Sequence, residues 1–225
     1  SVSDFDRAIG MKKDYIQALK NRALARYQLK EYAGVIADAS IISARGEAGP
    51  QEFAMLGISK YMTKDFQGAV TDLSKAIETG SKDILVYVAR GSSLFEIKEY
   101  EKSITDLSKA IESGETGTEL FYKRGAAKFQ LKDYKGAFTD LDKAITTGTS
   151  DALAFDMRGY CRYENKNFEE SITDFSRAIE KDPNLSVAFF HRGNARFGLD
   201  NLVGAVEDYS QAVDMGLKDP VLFNN

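Results

Sequence analysis

Cysteine and histidine each occur once in this chain of 225 residues, as Cys161 and His191. One imidazole forbids any zinc or catalytic arrangement that needs two, and leaves Cys161 with His191 as the sole thiol–base pairing to consider. The single cysteine also excludes an internal disulfide. No Gly-rich run ends in Lys-Ser or Lys-Thr, so no phosphate cradle is expected, and the plentiful carboxylates show no pairing suited to acid–base work. One charged pattern does recur. Asp4, Asp38, Asp72, Asp106, Asp140, Asp174 and Asp208 stand at equal intervals, as do Arg22, Arg90, Arg124, Arg158 and Arg192, with Leu56 the exception. A basic ladder could bind a ligand. The stronger expectation is that each Arg lays its methylenes over neighbouring helices and pairs with an Asp, each exposed pair adding about 0–1 kcal/mol.

The elements that must position these groups are set by one interval. Tyr32, Phe66, Tyr100, Tyr134, Phe168 and Leu202 fall 34 residues apart without insertion or deletion, so the chain reads as an array of stacked units. The other columns follow the same interval. Ala23, Gly57, Gly91, Gly125, Gly159 and Gly193 are small, Ala8, Ile42, Ala76, Ala110, Ala144, Ala178 and Ala212 are nearly all Ala, and Tyr27, Tyr61, Phe95, Phe129, Tyr163 and Phe197 are aromatic. Small columns let helices approach closely; large ones fill the gaps between them. Apolar and small positions recur at three- and four-residue steps twice per unit, which is helical spacing. The first helix ends near Lys132 and Asp133, and the second at a Gly such as Gly80, Gly114, Gly148 or Gly216. In this register Cys161 shares a column with Ala25, Ser59, Ser93, Ala127 and Ala195, and reads as a small packed residue. His191 shares its column with Asn21, Met55, Ala89, Lys123 and Met157, which have no common chemistry. Catalysis by the pair is not expected, and the chain reads as no enzyme, without cofactor or metal.

Two helices in 34 residues, with small, aromatic and Ala columns in this order, resemble the tetratricopeptide repeat family over essentially the whole chain. The resemblance implies an all-α fold, a right-handed superhelical solenoid of antiparallel helix pairs, as one array over residues 1–225. Six full repeats are expected at 16–49, 50–83, 84–117, 118–151, 152–185 and 186–219. The chain departs from the family pattern in carrying Arg for the usual Leu before the Gly in five copies, and in keeping the closing Pro only as Pro183. Residues 1–15 match the second helix of a preceding repeat, and residues 220–225 begin a further one, with Phe223 in the aromatic column of Phe189. Both ends therefore read as cuts within a longer array, whose uncapped faces could support self-association.

Columns that vary from copy to copy carry the individuality of the array. Two of them lie four residues apart on the first helix and share a face: Lys20 and Leu24, Ala54 and Ile58, Val88 and Ser92, Tyr122 and Ala126, Asp156 and Tyr160, Phe190 and Asn194. The resemblance places that face in a concave groove, basic and apolar at its start, narrow in its middle, and aromatic with an acid at its end. An apolar peptide or helix of a partner protein, with a basic residue opposite Asp156 and Glu119, is the expected ligand. The family's clamp for acidic chaperone tails is not reproduced, since Leu24 follows Lys20 where Asn is needed, and Asp156, Glu119, Glu96 and Glu164 would repel such a tail. The net charge of −4 gives no footprint for nucleic acid, and no apolar run is long enough to span a membrane. Asn184-Leu-Ser186 matches a glycosylation triplet of a kind common by chance. The expected function is a non-catalytic protein-interaction scaffold; the alternatives are a self-assembling structural segment and the substrate-docking arm of a larger enzyme. The compartment is not fixed by the sequence, with the cytoplasm favoured.

Overall fold

A computed structural model describes residues 2–11 and 16–217, and the described residues hold helices and turns without strands. They fall into two compact units, Ser1–Glu115 and Thr116–Asn225. The first contains α1 (Val2–Met11), α2 (Ile16–Gln28), α3 (Tyr32–Ala44), α4 (Pro50–Met62), α5 (Phe66–Glu78), α6 (Ile84–Glu96) and α7 (Tyr100–Glu112). The second contains α8 (Thr118–Gln130), α9 (Tyr134–Thr146), α10 (Ala152–Glu164), α11 (Phe168–Lys181), α12 (Ser186–Gly198) and α13 (Leu202–Asp214). Within each unit every helix packs on the next in sequence, and alternate first helices also touch, α2 on α4 on α6 and α8 on α10 on α12. The expected start of a further repeat at 220–225 lies outside the described residues.

Each hairpin turns on the same local chemistry. The first helix stops at a residue in the left-handed region, a Lys in five hairpins, as at Lys64 with φ 65° and Lys98 with φ 65°, and Asp200 in the sixth. In three hairpins the next residue caps the second helix through its side chain: Asp65 accepts from the Gly68 amide at 3.0 Å, and Asp133 and Asn201 do the same for Gly136 and Gly204, whereas Glu31, Glu99 and Asn167 make no such bond. An aromatic pair staples the turn, Tyr61 against Phe66 at 6.2 Å in one unit and Tyr163 against Phe168 at 5.5 Å in the other. The second helix ends at a left-handed Gly, such as Gly80 at φ 102°. The exception is α11, where Asp182 is extended ahead of Pro183.

Packing follows the columns. Leu73, Ala69 and Ala76 of α5 are fully buried against Val86 and Ala89 of α6 and Ala54 of α4. Gly57 of α4 lies tightly against α5: a Cβ there would meet Leu73 Cγ at 2.5 Å. In the second unit Phe155, Ala178 and Ala188 form the corresponding core, with Ile145, Ile179 and Leu185 around it.

The charged ladder pairs as expected but is far less exposed than expected. Arg158 Nε and Nη2 fork onto Asp174 at 2.9 and 2.5 Å, and the Asp174 side chain is 1% exposed. Arg22, Arg90, Arg124 and Arg192 grip Asp38, Asp106, Asp140 and Asp208 in the same way. The remaining Nη1 reaches back to the preceding helix hairpin, onto Asp142 from Arg158, Ser74 from Arg90 and Ser176 from Arg192. Arg22 reaches Asp6 of α1 by the same step, at 2.7 Å. A buried, doubly hydrogen-bonded carboxylate is not a surface pair worth a fraction of a kcal/mol; stranding one partner costs about 3–5 kcal/mol. The correction arises because the small columns draw the helices together over the pair, which the sequence pattern alone does not reveal.

Candidate functional site

In the first unit the groove columns converge on a cavity. Leu24 of α2 with Ala54 and Ile58 of α4 line a space of about 340 Å³, together with Tyr27, Met55, Pro50 and Gln51, and with Ser81, Lys82 and Asp83 from the turn before α6. Its floor is apolar and its rim is polar. Leu24 is 36% exposed, Ile58 is half-buried, and Ala54 lies beneath the surface. An aliphatic side chain left this open has surface to offer a ligand. Lys20 is tied to Glu52 at 3.6 Å, and Glu52 in turn accepts from the Gly49 amide at the start of α4. Asp83 caps α6 through the Leu85 amide, which fixes that side of the rim. Burial raises the Tyr27 phenol above its ordinary range, aided by the charge of Asp83, so Tyr27 stays neutral. Val88 is half-buried on α6, and Ser92 is buried.

The second unit builds something different from the same columns. Tyr160 stands among Phe129 at 5.4 Å, Tyr134 at 5.6 Å, Tyr163 at 6.0 Å and His191 at 4.9 Å. It is half-buried, and burial followed by a hydrogen bond with Glu164 raises its phenol well above the usual range. Phe190 is 8% exposed and packs on His191 and Tyr209. Asn194 accepts from the Tyr209 hydroxyl at 2.8 Å. Tyr122 is half-buried and Ala126 is buried. The acid expected to face a partner's basic residue faces the lone imidazole: Asp156 Oδ1 is 2.9 Å from His191 Nδ1, with Asp156 4% exposed. Glu119 lies 3.3 Å from Lys123.

Five of the twelve expected groove residues, Ala54, Ser92, Ala126, Asp156 and Phe190, are buried and support the face from below. Lys20, Leu24, Ile58, Val88, Tyr122, Tyr160 and Asn194 keep accessible surface. Seven of the ten residues that line the cavity do not stand out in the sequence, Pro50, Gln51 and Ser81 among them. Tyr27 and Met55 sit in columns that read as packing positions, and Lys82 and Asp83 belong to a turn whose place beside the cavity depends on stacking. The Asp156–His191 contact had a signal in the interval: the two residues are 35 apart, one repeat plus one, which sets them side by side on adjacent first helices.

Cys161 sits within α10. Its side chain is fully buried and burial pushes the thiol up to about 12, so the thiolate is scarce near neutral pH. Among the described residues no three His, Cys, Asp or Glu side chains come together as metal ligands, and no helix is long and apolar enough to cross a membrane.

Comparison with known proteins places one repeat and the fold. The family model described as "Tetratricopeptide repeat" matches residues 153–185. No curated protein matches the chain significantly. Among solved structures, YrrB, described as a TPR protein with an unusual peptide-binding site, is 20% identical over 100% of this chain and 98% of its own, with a TM-score of 0.64. MamA from Desulfovibrio magneticus RS-1 is 18% identical over 74% of this chain and 94% of its own, also at 0.64. The C-terminal part of a TPR repeat-containing protein from Cytophaga hutchinsonii is 17% identical over 87% and 78%, at 0.62. At these identities the likeness is one of fold, an α-α solenoid of tetratricopeptide type.

Proposed function

From the premise that this chain is a tetratricopeptide repeat protein, we propose that it is a non-catalytic scaffold that holds a peptide or helix of a partner protein on its first-helix face. The observation that carries the reading is the cavity of about 340 Å³ under Leu24, Ala54 and Ile58, three residues that column variation alone marks in the sequence. Its apolar floor fits one aliphatic or aromatic side chain, and the backbone of an extended segment can bond to Gln51, Ser81 and Asp83 along the rim. Tyr160 supplies a second contact area in the other unit. The pairing of Asp156 with His191 and of Glu119 with Lys123 removes the reason to require a basic residue in the ligand at that end.

Panning a phage-displayed random peptide library on the chain tests this. Enrichment of peptides sharing one large apolar residue is expected, and Ile58→Asp should weaken them roughly 10- to 150-fold, the equivalent of about 1.5–3 kcal/mol for one buried side chain. Enrichment that survives Ile58→Asp undiminished refutes the site.

Association between copies has one observation in its favour. On α13, Val203 is 74% and Val206 61% exposed, whereas Ile36, Val70, Ile104, Phe138 and Ile172 in the Val206 column are all half-buried. Sedimentation over a range of concentrations, with Val206→Lys as control, decides whether that face joins molecules.

A further inference from the structure

Four residues after the Arg column stands a second cation. Arg26, Lys60, Lys128, Arg162 and Arg196 each bring a nitrogen within 2.6–2.9 Å of the buried Asp on the next helix. Lys60 serves Asp72 where Leu56 replaces the Arg. In the repeat 84–117 the position is Leu94, which cannot make that bond. Arg90 holds Asp106 there, through Nε at 2.7 Å and Nη2 at 2.9 Å, and the Oδ2 lone pair used by the second cation in sister repeats receives none from Leu94. A second exception accompanies the first: Lys102 occupies the column of Gly34, Gly68, Gly136 and Gly204, in which Glu170 is the other departure. In the sister repeats the carbonyls of Gly34 and Gly204 accept from Arg26 and Arg196 as those side chains cross the hairpin.

A cleft of about 380 Å³ opens between α5, α6 and α7, lined by Val70, Ser74, Arg90, Leu94, Lys102, Thr105 and Asp106, larger than the space of about 250 Å³ that the matching Phe138, Arg162 and Glu170 line where the second cation is present. It does not belong to the face described above. Residues turn by about 100° each along a helix, which sets Arg90 and Leu94 roughly opposite Val88 and Ser92 on α6. The charge around the cleft favours a cation. Arg90 is engaged by Asp106 and Ser74 and feels Glu78, while Lys102 is held by Glu99 at 2.9 Å, so three carboxylates oppose two cations. An entering anion would meet both cations already paired and Asp106 at the floor.

We propose that this cleft is a second interaction site that takes one Arg or Lys side chain of a partner peptide, reproducing between molecules the bond that Lys60, Lys128 and Arg162 make within this one. The aliphatic stem lies along Val70 and Leu94, the cationic head bonds to Asp106 Oδ2, and the hydroxyl oxygens of Ser74 and Thr105 can accept the remaining hydrogens.

The test uses the full chain and a capped peptide, acetyl-Ala-Val-Arg-Val-Ala-amide, titrated by NMR with the Leu94 methyls and Thr105 amide as reporters. Saturable shifts at those residues are expected below about 10 mM, the range of a single weak contact. The Leu94→Lys variant fills the cleft as Lys60 does in its own repeat; it should fold normally and lose at least about tenfold in affinity. Asp106→Asn should lose as much, and Leu94→Lys keeps the test decisive if that variant unfolds. Leu24→Ala, on the other face, should leave the titration unchanged, which separates this site from the groove. Absence of saturable shifts, binding undiminished by Leu94→Lys, or preference for the same peptide with Glu in place of Arg would each overturn the proposal.

Discussion

Removing one partner of a buried ion pair should cost very different amounts depending on which partner goes, and the pair on α10 and α11 makes the contrast sharp. Asp174 is 1% exposed and holds Arg158, 7% exposed, through a two-bond fork, and Arg162 through one bond of 2.7 Å. Asp174→Ala strands the Nε and Nη2 of Arg158 beneath the surface with Asp142 left only at Nη1, so the loss should reach about 3–5 kcal/mol. Arg158→Leu leaves Asp174 bonded to Arg162 and frees Asp142, which is 45% exposed and returns to water. Its cost should be about 1–2 kcal/mol, because apolar contact replaces part of what is lost. Nature has made this second substitution in a sister repeat, where Leu56 is buried and Lys60 alone serves Asp72 at 2.6 Å. Urea denaturation gives the two values, and hydrogen exchange of the α10 and α11 amides checks that the loss is local, since repeat arrays need not unfold in one step. Equal costs for the two variants would refute the claim that the shared carboxylate is the member that cannot be removed, because its loss strands Arg158 whereas loss of Arg158 leaves Asp174 paired with Arg162.

The remaining predictions test packing and protonation. Gly57→Ala puts a methyl 2.5 Å from Leu73 Cγ and 3.0 Å from its backbone nitrogen, and should lower stability by about 1–3 kcal/mol in urea denaturation. Phe190→Ala, at 8% exposure, should cost about 3–5 kcal/mol by the same measurement and act on any ligand only through the fold. Cys161 should resist iodoacetamide at pH 8 in the native chain and react in urea, read by the mass of the adduct. Its raised value of about 12 also sets a sign with pH. The native thiol stays protonated while the unfolded one ionises, so its contribution is intact below about 8.5 and is lost as pH climbs towards 12. Cys161→Ala should therefore soften the alkaline fall in stability.

The helices were legible because their determinants are local. Each hairpin turn is written in a few residues, as in Lys64-Asp65-Phe66 with Gly68, and each second helix from α3 onward closes on a glycine except α11, which runs into Pro183. The face of Leu24, Ala54 and Ile58 was legible for a related reason: helical spacing alone decides which side chains share a side. Depth was not legible. Asp156 and Tyr160 are four apart on one face, yet the first is 4% exposed and the second half-buried. What separates them is how closely the neighbouring first helix approaches, and that depends on the side chains of three helices at once. For the same reason Arg158 and Asp174, which read as a surface pair, are enclosed.

A repeat protein states its rules many times, and a departure from a rule can therefore be weighed against intact copies in the same molecule. Leu56 departs from the Arg column and is compensated, because Lys60 keeps Asp72 paired. His191, in a column without common chemistry, meets Asp156 from the neighbouring repeat, so the acid at that position has a hydrogen-bond partner within the fold. Leu94 departs from the second cation column, and there the compensation is incomplete: the accompanying Lys102 bonds to Glu99, and a cleft is left above Asp106. Departures whose electrostatic partner is supplied elsewhere in the fold answer to stability. The departure at Leu94 leaves both space and acceptor capacity facing outward, and that combination makes it a place for a partner.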